Sequence, residues 1–333
     1  MRQLLVTLAL AIAPAVAMAA GFVQRAEVHA FIAEMEQRHG MPRTELEAMF
    51  REARHLPGVI KAIMPPRDPG ARSWQAYRSR FVEPKRIAAG RQFMARHGRS
   101  LADAEQRFGV PAEIIAAIIG IETIYGRHPG RFGVFSALAT LAFDYPPRAE
   151  LFRRELEELL LLAREEGRSP LSYRGSFAGA IGLPQFLPSS RRRWGIDFDG
   201  NGRVDLSTSA EDAIGSVANF LAGHGWEAGA PIATPVAVVG DGLQSLLDAG
   251  IVPRRSPRQW IMEGLSVSRV GAGETAPNVL DDRPAALIDL ATPGGATEYR
   301  VGYGNFFVIT RYNRSSFYAA AVIDLAAELR RSD

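Results

Sequence analysis

Glu122 is the residue of this chain whose setting most clearly suggests acid–base chemistry. Isoleucines lie three, four and seven positions before it, at Ile119, Ile118 and Ile115. At 3.6 residues per turn, these side chains share the face that a helix normally buries. Burial and a place in the last helical turn both disfavour a carboxylate, so we expect the raised pKa that a general acid near neutral pH requires. The alternative is a glutamate that turns to solvent or bonds a neighbouring backbone group.

A second segment offers polar groups without charge. Residues 175–190 read GSFAGAIGLPQFLPSS, in which three glycines and two alanines surround one glutamine. Small residues let a ligand approach the backbone closely. Ser176 and Gln185 could then hydrogen-bond hydroxyl- and amide-rich ligands such as sugars. Tight helix packing is the alternative explanation of these small residues.

The run DFDGNGRVD at 197–205 matches the first half of a calcium-binding loop. Positions 1, 3, 5 and 7 of that loop supply the ligands, with glycine at position 6. The matching residues are Asp197, Asp199, Asn201 and Arg203 (through its carbonyl), with Gly202 at position 6. Position 12 is Thr208, which lacks a carboxylate, so the distal ligand is Glu211 or Asp212 in a lengthened loop. The alternative is a turn that binds no metal.

Other chemistries find no support in the sequence. The chain has no cysteine, which excludes disulfides, thiolate metal sites and a lipidated cysteine. Its histidines show no metal-ligand spacing, and there is no phosphate-binding loop, dinucleotide fingerprint or G-x-S-x-G motif, so we expect no organic cofactor. A net charge of +3 is too weak to indicate nucleic acid. A two-carboxylate glycosidase would need a partner for Glu122, and nothing in the sequence places the nearest acid, Asp144.

The elements that must position these groups are mainly helical. Residues 22–105 and 106–228 show helix-period apolar stripes broken by glycine and proline. The helix of Glu122 is expected to begin near Pro111 and to end at Gly126. A closing helix is predicted over 315–331.

Between these helical segments the sequence predicts a small strand-rich unit, from about residue 230 to 300. Its runs are β-branched or alternating, and Gly, Pro and Asp separate them; they cover residues 231–239, 265–272, 285–292 and 297–313. The fold class that follows is mainly α (α+β), with a small β module.

The N-terminus has the pattern of an export signal. Arg2 precedes an apolar run, and Ala17-Met18-Ala19 gives a cleavage site, so residues 1–19 are predicted to be a secretory signal peptide. No later segment approaches 18 uninterrupted apolar residues. We therefore expect an exported, soluble protein without a lipid anchor.

Taken together, these segments resemble the lytic murein transglycosylase B family of peptidoglycan-cleaving enzymes. The matching runs follow the family's order and are IIGIETIYGR, TLAFDYPPRAELFRRELEELL, YRGSFAGAIGLPQFLPSS, DFDGNGRVDL, DAIGSVANFLAGHGW and NFFVITRYN. The resemblance implies a helical domain at 20–105, a lysozyme-like core with an EF-hand-like calcium loop at 106–229, a small β domain at 230–300, and a returning segment at 301–333. It also implies a periplasmic location.

The resemblance further assigns roles to single residues. Glu122 would be the only catalytic acid/base, protonating the bond between N-acetylmuramic acid and N-acetylglucosamine and then deprotonating the C6 hydroxyl to close a 1,6-anhydro ring. Ser176 and Gln185 match residues of the saccharide site, and Tyr77, Asn305 and Tyr312 match cleft positions. The family's acid before AIGSVAN favours Asp212 as the distal calcium ligand.

Two other functions stay open at this point: a hydrolytic muramidase that uses water, and a peptidoglycan-binding scaffold without catalysis. The expected partner is the glycan strand of peptidoglycan. The sequence identifies no protein partner among the cell-wall synthesis proteins, and it does not distinguish cleavage at chain ends from cleavage within strands.

Overall fold

The computed structural model describes residues 21–65, 73–270 and 280–331 and confirms a mainly helical protein with small antiparallel sheets. The predicted signal peptide at 1–19 lies outside the described residues. The chain divides into two compact units, Met1–His55 and Leu56–Asp333. No helix in the described ranges has both the length and the apolar character needed to cross a membrane. The division of the chain into four domains after the signal peptide stays a prediction.

The first unit contains a short helical pair. Its described elements are a 3₁₀ turn, Phe22–Gln24, and the helices α1, Ala26–His39, and α2, Arg43–Glu52. Gly40 ends α1 in the left-handed conformation that glycine adopts without steric cost. Phe31 and Phe50, one from each helix, meet edge to face with their ring centroids 6.1 Å apart.

The second unit holds the remaining elements. Its helices are α3 Pro57–Ile63, α4 Trp74–Phe81, α5 Pro84–Arg96, α6 Gly98–Phe108, α7 Ala112–Thr123, α8 Val134–Asp144, α9 Ala149–Glu165, α10 Pro188–Trp194, α11 Ala210–Gly223, α12 Leu243–Asp248, α13 Pro257–Met262, α14 Gly304–Tyr312 and α15 Ser316–Arg330. Its strands are β1 Phe132–Gly133, β2 Arg174–Gly175, β3 Ala233–Val239, β4 Ser266–Arg269, β5 Ala286–Leu290 and β6 Glu298–Gly302.

The central helix of this unit is α7. It is apolar on every side, and all its residues from Ile114 to Ile121 are buried, which is the pattern of a helix surrounded by others. Its neighbours are α5, α6, α11 and α15. The helix ends at Thr123, three residues before the predicted end at Gly126, because Ile124 already has a left-handed backbone.

The strand-rich unit is a four-stranded antiparallel sheet in the order β4-β3-β6-β5. In β3, Val236 and Val238 are buried while the residues between and beside them are exposed, as expected for a sheet with one face on a core. Trp260, from α13, belongs to the same small core. The sheet pairs Val236 with Tyr299 of β6, which fixes the register of the two central strands.

One predicted strand is wrong. The last part of the run 297–313 forms α14 rather than a strand, and only residues 298–302 extend as β6. The aromatic and β-branched residues of that run favour a strand locally. They nevertheless also place Phe306, Ile309 and Thr310 on one helical face, and packing of that face against the core decides the outcome.

Candidate active site

Glu122 lies in the last turn of α7 and is half-buried, whereas its neighbours Ile121 and Thr123 are buried. The hydroxyl of Tyr318 donates a hydrogen bond of 2.7 Å to its Oε1. Burial raises the pKa of Glu122 to about 7, although the Tyr318 hydrogen bond acts in the opposite direction. Among the described residues, no other carboxylate contributes to this shift. Glu122 is thus an isolated acid that can both give and take a proton near neutral pH.

Three tyrosines share this electrostatic environment. The pKa of Tyr77 rises to about 12, first because of burial and then because of the negative charge of Glu122. The pKa values of Tyr312 and Tyr318 rise for the same two reasons in the same order. Tyr312 and Tyr318 stack with their ring centroids 6.3 Å apart. The structure therefore brings the predicted Tyr77 and Tyr312 to the surroundings of Glu122.

The helices that carry Tyr77 and Tyr318 are joined by a charge network. Arg78 of α4 donates to Asp324 of α15 (2.6 Å), and Arg300 of β6 donates to the same carboxylate (2.8 and 3.2 Å). Arg300 is 7% exposed, so its ion pair with Asp324 is poorly screened by water, whereas the side chain of Arg78 is 41% exposed. It fixes α4, α15 and the sheet to one another.

Thr123 joins the end of α7 to the glycine-rich segment. Its hydroxyl is buried, donates to the carbonyl oxygen of Leu183 (2.9 Å) and accepts from the N–H of Gly126 (3.0 Å). Tyr312 reaches the same segment, because its hydroxyl donates to the carbonyl oxygen of Pro184 (2.5 Å). Two hydrogen bonds thus hold residues 183–184 against the elements that flank Glu122.

Gln185 follows that segment in a left-handed conformation (φ 50°). Its Nε2 donates to the carbonyl oxygens of Pro129 (3.0 Å) and Gly182 (2.9 Å). Both N–H groups are therefore used, and within the described residues its Oε1 has no hydrogen-bond donor, which leaves an acceptor for a ligand.

Ser176 lies in a turn of its own. Its Oγ accepts from the N–H of Ala180 (3.0 Å) and of Ala178 (3.3 Å), and the residue is half-buried. The hydroxyl hydrogen is left to donate, since both of these bonds use the oxygen as an acceptor. Gly175 beside it leaves no space for a side chain, because a Cβ there would lie 2.1 Å from the carbonyl oxygen of Ala180.

Asn305 has a different setting from the one predicted for it. Its side chain is 1% exposed. The amide donates to the carbonyl oxygens of Glu227 (2.8 Å) and Ala230 (3.2 Å) and accepts from the N–H of Glu227 (2.9 Å). A buried amide with these partners ties α14 to the chain before the sheet. The side chain of Asn305 is therefore a buried structural group and is not exposed to a ligand.

The predicted metal ligands converge. Asp197, Asp199 and Asp212 each place a carboxylate oxygen within 4.8 Å of the others. Asp197 accepts the N–H groups of Gly202 (2.7 Å) and Asn201 (3.0 Å), which folds the loop around its first acid. Three converging carboxylates form a hard oxygen site of the kind that calcium prefers.

The structure also separates the two candidates for the distal ligand. Asp212 is fully buried and accepts the N–H groups of Phe198 (2.8 Å) and Asp205 (2.7 Å), so it closes the loop from inside. Glu211 instead points to His97, whose Nδ1 lies 3.0 Å from its Oε1. The geometry therefore favours Asp212. Asn201 and Arg203 lie in the loop, where the N–H of Arg203 donates to Oδ1 of Asn201 (3.1 Å).

Sequence reasoning missed two residues of this site. Tyr318 carries the one buried hydroxyl of the alanine-rich helix α15, and a polar group on a buried helix face is the same kind of signal that identified Glu122. Thr123 directly follows Glu122, and its role depends on a carbonyl 60 residues away in sequence. No local pattern marks that contact.

A single half-buried acid at the end of an apolar helix, with tyrosines around it, defines a lysozyme-like enzyme class. Comparison with known proteins specifies the family. The model of the transglycosylase SLT domain matches residues 23–327, and the chain belongs to this family. It is 38% identical over 317 residues to membrane-bound lytic murein transglycosylase B of Escherichia coli, covering 92% of this chain and 84% of that protein.

Comparison with solved structures leads to the same family. The soluble lytic transglycosylase SltB1 from Pseudomonas aeruginosa superimposes with a TM-score of 0.82 at 41% identity, covering 91% of this chain and 98% of that one. The Escherichia coli lytic transglycosylase Slt35 in complex with calcium gives a TM-score of 0.78 at 36% identity, covering 92% and 94%. The protein is a lytic murein transglycosylase, and the resemblance read from the sequence is confirmed.

Proposed function

We propose that Glu122 is the single acid/base of this enzyme and that it cleaves the β-1,4 bond between N-acetylmuramic acid and N-acetylglucosamine. The observation that carries the proposal is the half-buried carboxyl whose pKa is raised to about 7, with no other acid among the described residues contributing to that shift. A carboxyl with this pKa is protonated in a useful fraction near neutral pH and is a competent base once it has lost its proton.

The reaction then needs no second carboxylate. Protonated Glu122 donates to the glycosidic oxygen as the bond to the anomeric carbon breaks. The N-acetyl carbonyl oxygen of the muramic residue bonds to that carbon from the opposite face. Ionised Glu122 next takes the proton of the C6 hydroxyl, whose oxygen displaces the N-acetyl oxygen and forms the 1,6-anhydro ring. Glu122 ends protonated as it began, and no water is consumed.

Tyr318 supports both halves of this cycle. Its hydroxyl donates to Oε1 of Glu122, so Oε2 is the oxygen that carries the transferred proton. The same hydrogen bond favours the ionised carboxylate and therefore limits how far burial can raise the pKa. A carboxyl that first donates and then accepts a proton works best with a pKa near the pH of the reaction, because neither proton transfer is then strongly unfavourable.

For the saccharide, we propose contacts from Gln185, Ser176, Tyr77 and Tyr312. The support is the unpaired Oε1 of Gln185 within the described residues, the hydroxyl of Ser176 with its hydrogen free to donate, and the two tyrosines close to Glu122. These groups are polar and uncharged at neutral pH, which suits the hydroxyl and acetamido groups of a glycan strand. Because these ligand groups are uncharged, charged side chains are not required to bind them.

Product analysis tests the reaction. Purified sacculi would be digested with the wild-type protein and with Glu122→Gln, and the soluble fragments would be identified by mass spectrometry. Anhydromuramic ends from wild type alone support the proposal. Reducing muramic ends would instead establish the hydrolytic muramidase, and activity retained by Glu122→Gln would contradict the role of this residue. A non-catalytic binder would bind sacculi and release no fragments.

We further propose that Asp197, Asp199, Asn201 and Asp212 hold a structural calcium ion, with the carbonyl of Arg203. The support is the convergence of three carboxylates and the related Slt35 structure in complex with calcium. The ion would neutralise three acids that otherwise repel one another. Its contribution is to stability, and no step of the reaction passes through it.

Export to the periplasm is part of the same proposal, since peptidoglycan lies outside the cytoplasmic membrane. The predicted signal peptide at 1–19 supports it. The intact mass of the protein recovered from a periplasmic fraction would test the cleavage site, and a protein of full length in the cytoplasm would contradict export.

A further inference from the structure

The turn that directly follows the helix of Glu122 has an unfavourable backbone. Ile124 (φ 52°) and Tyr125 (φ 55°) both lie in the left-handed region, and Gly126 follows with φ 86°. A β-branched and an aromatic residue rarely adopt this conformation, and it persists only where the surroundings hold it. Something in the fold must therefore stabilise this turn.

The side chain of Tyr125 occupies a niche that two glycines create. A Cβ at Gly90 of α5 would lie 2.2 Å from the Tyr125 hydroxyl oxygen, and one at Gly120 of α7 would lie 2.4 Å from it. Both glycines lie within helices, where glycine is less favourable than alanine. The ring also packs on Phe93, with centroids 5.2 Å apart. The glycines of α5 and α7 thus lower the local stability of their helices and leave space for the ring of Tyr125.

The two glycines face the hydroxyl end of the Tyr125 ring, yet among the described residues the hydroxyl itself makes no hydrogen bond there. The hydroxyl of Tyr125 is buried, and the described residues offer it no hydrogen-bond partner. Burial raises its pKa, and the positive charge of Arg86 only partly opposes this. A buried hydroxyl without a partner is destabilising, because its desolvation is not compensated, so the favourable contribution of this side chain comes from the packing of its ring.

We propose that Tyr125 is a positioning residue for Glu122: its ring, seated against Gly90 and Gly120, holds the strained turn and so keeps Glu122 aimed at Tyr318. The last turn of a helix normally frays, and Glu122 lies in that turn. A carboxyl that gives a proton to one oxygen and takes one from another must keep its place within a fraction of an ångström. The inference rests on the proposed acid/base role of Glu122.

The test follows the Glu122 carboxyl directly, without turnover. Its ¹³C signal in glutamate-labelled protein, identified by its loss in Glu122→Gln, would be titrated by NMR. Gly120→Ala should drive the ring out, release Glu122 from the hydroxyl of Tyr318 and so shift the titration up from about 7 by roughly one pH unit. Tyr125→Leu should shift the titration in the same direction, because it removes the ring without a steric clash. The double variant Tyr125→Leu/Gly120→Ala should then titrate like Tyr125→Leu alone. Tyr125→Phe should leave the titration in place.

A matched control separates positioning from stability. Gly215→Ala places a Cβ 2.4 Å from Phe198, in a helix that does not carry Glu122, so it should lower the melting temperature and leave the Glu122 titration unchanged. The proposal is overturned if Gly120→Ala behaves like this control, if its effect persists in full beside Tyr125→Leu, or if Tyr125→Phe moves the titration. If the titrations shift as expected while sacculi yield no anhydro ends, the positioning role stands and the proposed reaction fails.

Discussion

Replacing Glu122 with glutamine is expected to stabilise the protein at neutral pH although it removes the proposed catalytic group. The folded protein raises the pKa of this carboxyl from 4.5 to about 7, so it binds the proton more tightly than the unfolded chain does. Below pH 4.5 both states are protonated and there is no penalty. The penalty grows as the pH rises from 4.5 to about 7 and is complete above that.

The size of the effect follows from the shift. Each pKa unit corresponds to about 1.4 kcal/mol, so the ionised Glu122 costs the fold about 3 kcal/mol at most. Glutamine has nearly the shape of the protonated acid and keeps an oxygen for the Tyr318 hydroxyl. Glu122→Gln should therefore match wild type near pH 4 and exceed it by up to about 3 kcal/mol at pH 8.

Urea unfolding at several pH values between 4 and 8 measures this difference. All four tryptophans lie in the unit Leu56–Asp333, so their fluorescence reports on the unit that contains Glu122. Glu150→Gln, at an exposed acid of α9, is the control and should keep a pH-independent difference within about 0.5 kcal/mol. A flat difference for Glu122→Gln, or one that grows towards acid pH, would refute a buried carboxyl with a raised pKa.

Three further outcomes are expected. Tyr318→Phe removes the hydrogen bond that favours ionised Glu122, so the alkaline limb of the pH–activity profile should move up by about one pH unit, and an unmoved limb would contradict the contact. Thr123→Val leaves two backbone groups without their partner, the carbonyl of buried Leu183 and the N–H of half-buried Gly126, and should cost about 2–4 kcal/mol in urea unfolding. Thr123→Ser, which keeps the hydroxyl, should cost far less. Calcium should raise the melting temperature of wild type but not of Asp197→Asn. In EDTA, Asp212→Asn should melt at a lower temperature than Asp197→Asn, because the buried carboxylate of Asp212 accepts backbone N–H groups of the loop even without the ion. Equal melting curves of these two variants in EDTA would argue against this role.

Much of the site was readable from the sequence because its signals are local. The period of 3.6 residues placed Glu122 on the isoleucine face of α7, and a lone acid on a buried face needs an explanation wherever it occurs. The spacing of Asp197, Asp199 and Asn201 likewise predicts one loop, since backbone geometry over a few residues decides where those side chains meet. The helix face of Glu122 and the acidic loop both depend only on residues that are close together in the sequence.

The run 304–312 shows where local signals fail. Its aromatic and β-branched residues predict a strand, yet the same residues place an apolar face at helical spacing. When both periods fit a short run, burial against the rest of the chain selects one of them. The predicted cleft residue Asn305 belongs to this segment, and its amide turned out to hold the backbone of the chain before the sheet.

The sequence by itself determined that an acid lies on the apolar face of a helix near its end, that no cysteine chemistry is available, and that an acidic loop could bind calcium. Only the tertiary structure decided the partners of that acid. Tyr318 lies 196 residues from Glu122, and Tyr125 finds its place between glycines of two helices. Periodicity encodes which face of an element is buried; which distant side chain meets it depends on how all the elements pack together.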